Sequence, residues 1–91
     1  MKEKYLASKQ KLQNILAKYV REKRLEQNKS LSKISAEIMM TKSMWLDLEK
    51  GIKDPQLTTL WRVSEALDIP LETLIKEIKH RLGENFSLID Y

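Results

Sequence analysis

No cysteine occurs in this 91-residue chain. Disulfides, thiolate nucleophiles and cysteine-based zinc sites are therefore excluded, and a reducing cytosol is a compatible compartment. Histidine occurs once, at His80. No Gly-rich phosphate loop, metal-ligand cluster or nucleophile–base arrangement can be traced, and Asp47 and Glu49 fall on different sides of a helix. The chain is expected not to be an enzyme and to need no cofactor or metal. Glycine and proline are scarce, two of each, which disfavours many-turned β architectures and favours long unbroken helices. No apolar run approaches the roughly 18 residues of a membrane span, and Met1-Lys2-Glu3-Lys4-Tyr5 has no apolar stretch behind it. A signal peptide and membrane insertion are not expected; a cytoplasmic location is.

What is present fits one small domain, marginally stable alone and helped by dimerisation. The apolar content of 42% suits a folded chain. Tyr5, Leu6, Leu12, Ile15, Leu16, Tyr19 and Val20 recur at helical spacing, which predicts one long helix or two in succession over residues 3–27. Asn28 suits the left-handed residue that closes a helix. Ser30 is placed to cap a short second helix carrying Leu31, Ile34, Ile38 and Met39 on one side. Thr41 is placed to cap a third helix over about 42–50, with Met44, Trp45 and Leu48 apolar and Gly51 as its stop. Trp45, Leu48 and Ile52 share a face, so Trp45 reads as core. Asp54-Pro55 reads as the start of a fourth helix over about 55–67, with Trp61 in the core. Pro70 opens a fifth helix over about 71–82, which Gly83 ends. Two short helices separated by a tight turn inside such a domain are the mark of a helix-turn-helix.

The formal charge of +4 is unevenly spread. Residues 1–30 carry nine Lys/Arg against three Glu, whereas residues 31–91 carry eight against ten Asp/Glu. Residues 31–55 sum to zero: Lys33, Lys42, Lys50 and Lys53 against Glu37, Asp47, Glu49 and Asp54. On this count the helix-turn-helix surface is not strongly electropositive, and affinity for a polyanion rests on dimerisation or on the basic front of the chain.

Specific stretches sharpen the reading. They are Val20-Arg21 with Arg24, Ser30-Leu31-Ser32-Lys33-Ile34-Ser35, Thr41 through Gly51, Asp54-Pro55, and Ala66-Leu67-Asp68-Ile69-Pro70-Leu71. Across Leu16–Leu71 the chain resembles the Xre/Cro-type, lambda-repressor-like helix-turn-helix family, Glu-Lys-Gly followed by Asp-Pro being the most specific part. The resemblance implies an all-α, compact five-helix fold in which residues 15–71 form the helix-turn-helix domain. To this are added an N-terminal helical extension (1–14) and a fifth helix with a short C-terminal tail (72–91). It implies a bidentate ion pair between Arg24 and Glu49, a role that suits the planar guanidinium. It also implies that the third helix enters the major groove of double-stranded DNA. Lys42 and Ser43 then match base- and phosphate-contacting positions. Leu46 and Asp47 are placed for a thymine methyl and cytosine N4. Lys50 and Lys53 match backbone-contacting positions. Ser30, Ser32 and Thr41 lie at helix starts where a phosphate can sit.

The sequence also departs from the family. Leu31 stands where Gln often binds phosphate, Met39 where Gly or Asn is common in the turn, Ser35 where Ala is usual, and Leu46 where a polar residue is more frequent. Residues 1–14, with Lys2, Lys4, Lys9 and Lys11 on a polar side, have three open uses: reaching flanking phosphates, packing on a partner subunit, or none, as a frayed end. Ile75, Ile78, Leu82, Phe86, Leu88 and Ile89 offer more apolar surface than a small core hides and are the candidate homodimer interface. A homodimeric DNA-binding regulator, of the repressor kind, is the leading expectation. The alternative is a protein-interaction adaptor or an antitoxin subunit whose domain mainly binds a protein partner.

Overall fold

The computed structural model describes residues 2–89; Met1, Asp90 and Tyr91, with the side chain of Lys2, lie outside the described residues. The lysine row and the apolar tail read from the sequence are thus traced only from Lys4 and up to Ile89. Among the described residues there are five helices and no strand: α1 (Lys2–Glu26), α2 (Leu31–Glu37), α3 (Lys42–Glu49), α4 (Leu57–Ala66) and α5 (Leu71–Leu82).

α1 is one uninterrupted helix of 25 residues, rich in Lys, Leu, Gln and Ala and free of Gly and Pro. Its length of about 37 Å nearly equals the 42 Å long dimension of the molecule. The next three helices are short because their ends are written into the sequence. Ser30 Oγ accepts from the Lys33 amide at 3.1 Å and Thr41 Oγ1 from the Met44 amide at 3.1 Å, capping α2 and α3. α1 to α4 all close on a left-handed residue: Asn28, Met39, Gly51 and Asp68, at φ of 56°, 55°, 74° and 55°. In each, the following amide reaches back five residues, as in Lys29 to Arg24, Met40 to Ser35, Ile52 to Asp47 and Ile69 to Ser64. This satisfies carbonyls that the helix would otherwise leave open.

Every helix feeds one core. Val20 of α1, Ile34 of α2, Trp45 of α3, Val63 of α4 and Leu74 of α5 are fully buried, with Leu16, Tyr19, Leu48, Leu67 and Ile78 around them. α5 is clipped to α1 by Arg81, which donates to Glu22 at 2.8 Å and lies 5.1 Å above the Tyr19 ring.

Four expectations are corrected. α4 begins at Leu57, not at 55, and Gln56 holds its cap position without a side-chain bond. The Asp54 carboxylate is instead drawn to Lys9 at 3.5 Å. Trp61 is not core: it is 56% exposed, because α4 turns Val63, Ser64 and Ala66 inward and leaves Leu57 and Trp61 on its outer side. Ile52 and Met39 are exposed as well, each sitting at or just beyond a helix-ending turn. Ile78 and Leu82 are buried in the chain's own core, on the face of α5 that meets α1 and α4, so they are not surface for a partner.

Candidate nucleic-acid interface

α3 has two unlike sides. Trp45 and Leu48 anchor it in the core at 0% and 2% exposure. Ser43, Leu46, Asp47 and Lys50 recur at three- and four-residue spacing on the opposite side, next to Lys42. Lys42, Ser43, Lys50 and Lys53 are exposed, while Leu46 and Asp47 are half-buried. Ser30, Ser32 and Thr41 are exposed at the starts of α2 and α3. Capping uses an acceptor lone pair of Ser30 and Thr41, so each hydroxyl keeps its O–H for an outside acceptor.

A small polar cluster fixes the angle of α3. Arg24 donates through Nε to Glu49 Oε2 at 2.6 Å and through Nη2 to Oε1 at 3.0 Å. Both side chains are nearly enclosed, 10% and 3% exposed. The Trp45 indole, one turn before Glu49, donates to the same Oε2 at 2.6 Å. Arg24 spends its remaining terminal nitrogen on the Lys29 carbonyl at 2.9 Å. The hydrogen bond to Glu49 pushes the Arg24 guanidinium above its already high ordinary value. The buried charges are thus paired and hydrogen-bonded, the condition under which such burial is tolerated. The i, i+4 spacing of Trp45 and Glu49 is the sequence signal for this indole bond.

The turn between α2 and α3 is braced from outside. Arg62 of α4 donates to the Ile38 carbonyl at 3.0 Å. Lys29 bridges the Ala66 carbonyl at 2.9 Å and Glu37 at 3.1 Å. Ser35, buried where Ala is usual, returns its hydroxyl to the Leu31 carbonyl of its own helix at 2.7 Å. Leu31 lays its side chain against the core.

The zero charge of residues 31–55 turns out to hide an electropositive surface. Glu37, Glu49 and Asp54 are paired with Lys29, Arg24 and Lys9. All three bases come from the basic first thirty residues. Lys33, Lys42, Lys50 and Lys53 make no ion pair among the described residues. Asp47 is the one acid of the stretch left facing them. The front of the chain neutralises the acids and leaves the lysines free to act outward, which no count along the sequence could reveal.

The extension contributes as well. Gln10 donates to the Gly51 carbonyl at 3.1 Å and to Asn14 Oδ1 at 2.8 Å. Asn14 sits against Gly51, so closely that a Cβ there would meet its Oδ1 at 2.6 Å. Nothing in the sequence pattern pointed to Gln10 or Asn14, because a long polar helix face carries no sign of which loop it will meet.

The HTH_3 family, described as helix-turn-helix, matches residues 20–74. Two solved structures of the clp gene regulator ClgR from Corynebacterium glutamicum resemble the chain. One superposes with a TM-score of 0.72 at 20% identity, covering 78% of this chain and 76% of that chain. The other gives 0.71 at 19% identity, over 79% and 94%. At such identity the likeness concerns the fold. No curated protein matches the chain.

Proposed function

The chain belongs to the HTH_3 helix-turn-helix family, and from that premise we propose that it is a sequence-specific DNA-binding transcriptional regulator acting as a cytoplasmic homodimer. The observation that carries this reading is the division of α3: its inner side is locked by Trp45, Leu48 and the Arg24–Glu49 pair, and its outer side offers exposed Lys42, Ser43 and Lys50, with no ion pair at either lysine among the described residues. A helix held so rigidly presents side chains to the major groove with little ordering left to do on binding. The similarity to a clp gene regulator agrees with a role in transcription.

In this reading Lys42 and Ser43, at the start of α3, meet base edges; Lys favours guanine O6 and N7. Leu46 and Asp47, half-buried, lie deeper on the helix and meet a thymine methyl and a cytosine amino group only where the groove comes close. Lys50 and Lys53 contact the phosphodiester backbone and set register. Ser30, Ser32 and Thr41 donate to phosphates. The dimer buries the exposed apolar surface of α4, α5 and the tail: Ile75, Leu88 and Ile89 with half-buried Phe86, joined by Leu57 and Trp61. Twofold symmetry then presents two α3 helices about one DNA turn apart to a near-palindromic site.

Binding of a labelled mixed-sequence duplex, followed by anisotropy over about 50–200 mM salt, tests the reading. The expected result is an affinity that falls steeply and log-linearly with salt, because neutralised phosphates release counterions. No binding at low salt, together with a protein partner that co-purifies through an apolar, salt-insensitive contact, would favour the interaction-module or antitoxin alternative.

A further inference from the structure

We infer that Lys9, Gln10 and Asn14 form a positioning brace that holds the connection after α3, and with it Lys53, at the phosphate backbone. The inference rests on the DNA-binding reading and adds residues outside the family match, which begins at residue 20.

Beyond the Ile52 amide, which closes α3 on the Asp47 carbonyl, the connection from Ile52 to Gln56 has little of its own to fix it. Gly51 stands at φ 74°, and the residues from Ile52 to Gln56 lie in no helix. Ile52, Lys53 and Asp54 are exposed. Three contacts from successive turns of α1 supply what is missing. Gln10 donates to the Gly51 carbonyl at 3.1 Å and Asn14 lies under Gly51, which is itself buried. Lys9 reaches Asp54 at 3.5 Å. The Lys9 contact has an electrostatic consequence too. Asp54 neighbours Lys53, and its carboxylate is largely exposed, 64% by side chain. Left unpaired, it would weaken the attraction of Lys53 for a phosphate. Paired with Lys9, it leaves Lys53 as the unopposed charge of the loop.

α1 suits this task because it is rigid. The same helix that offers Gln10 and Asn14 is fixed further along by buried Leu16, Tyr19 and Val20 and by Arg24 on Glu49. The two ends of the α3 support, Glu49 and Gly51, are therefore referred to one rod.

The test uses the full chain and a mixed-sequence duplex of about two helical turns. Gln10→Met keeps helix propensity and volume but removes the donor to Gly51; Lys9→Met removes the partner of Asp54. Both sites lie on a partly exposed stretch, and the melting curve of each variant verifies the fold. The expected result for each is binding weakened about three- to ten-fold at low salt, with the slope of log K against log salt reduced by about one, as for a lost phosphate contact. A variant that merely destabilised the protein would lower the active fraction and leave the slope unchanged. With Lys53→Ala added, Gln10→Met should cause little further loss. Wild-type slope in both variants, or full additivity with Lys53→Ala, would overturn the brace while leaving DNA binding intact. A wild-type chain that binds no duplex would instead overturn the reading on which the brace rests.

Discussion

Met39 carries the clearest local strain in the molecule. It is 88% exposed at φ 55°, a conformation that non-glycine residues other than Asn and Asp rarely adopt. Asn28 and Asp68 fill equivalent helix-ending positions at little cost, and Met39 has no such excuse. Met39→Gly should stabilise the domain by about 1 kcal/mol, raising the melting temperature by roughly 4–8 °C; an unchanged or lower melting temperature would contradict the strain. Arg24 lies at the other extreme. Arg24→Met strands Glu49 in a nearly closed site and should cost about 3 kcal/mol or more by denaturant unfolding, whereas adding Glu49→Leu should recover part of that loss. At this scale much was legible in advance. The caps Ser30 and Thr41 and the closing residues Asn28 and Gly51 follow from local chemistry written at one position, and the buried Trp45 from its spacing with Leu48. Trp61 was misread because apolar spacing shows which residues share a face, not whether another helix covers that face.

At the scale of elements, α1 is the spine and packs on both α3 and α5. The α1–α5 clip is ionic and half-buried. Hydrogen bonding to Arg81 holds the Glu22 carboxylate below its ordinary value. A group depressed in the folded state contributes stability above its unfolded pKa and loses that contribution as pH falls through the folded value. The advantage of wild type over Glu22→Gln should therefore be present near neutrality and vanish under acid conditions, below the ordinary carboxylate range. Melting temperatures of the two chains measured from neutral to acid pH should converge; parallel profiles would show that the clip does not operate. The five helices were readable because Gly, Pro and cap residues punctuate the chain sparsely and clearly. The start of α4 was not, because Asp54-Pro55 carries every local sign of a helix start while Lys9, far away in sequence, claims the carboxylate. Pairings across the chain likewise hid the electropositive surface around α3.

For the whole molecule, the proposed dimer and the proposed DNA contact stand on different surfaces. Trp61 and Ile75 are exposed on adjacent helices, 56% and 38%, so replacing both by Lys removes apolar surface without opening the core. The double variant should sediment as a monomer where wild type is dimeric, with protomer stability changed by about 0.5 kcal/mol or less per site. Ile78→Ala, by contrast, should destabilise the protomer by about 2–5 kcal/mol, since that side chain is 4% exposed within its own core. An unaltered dimer in the Trp61→Lys, Ile75→Lys chain would move the interface elsewhere. Whether the outer side of α3 reads sequence is decided by selecting bound duplexes from a random pool with wild type beside a Lys42→Ala, Ser43→Ala chain. Wild type should yield a near-palindromic consensus that the variant loses while keeping its fold and some salt-sensitive binding. The same consensus from both chains would place sequence readout somewhere other than the start of α3.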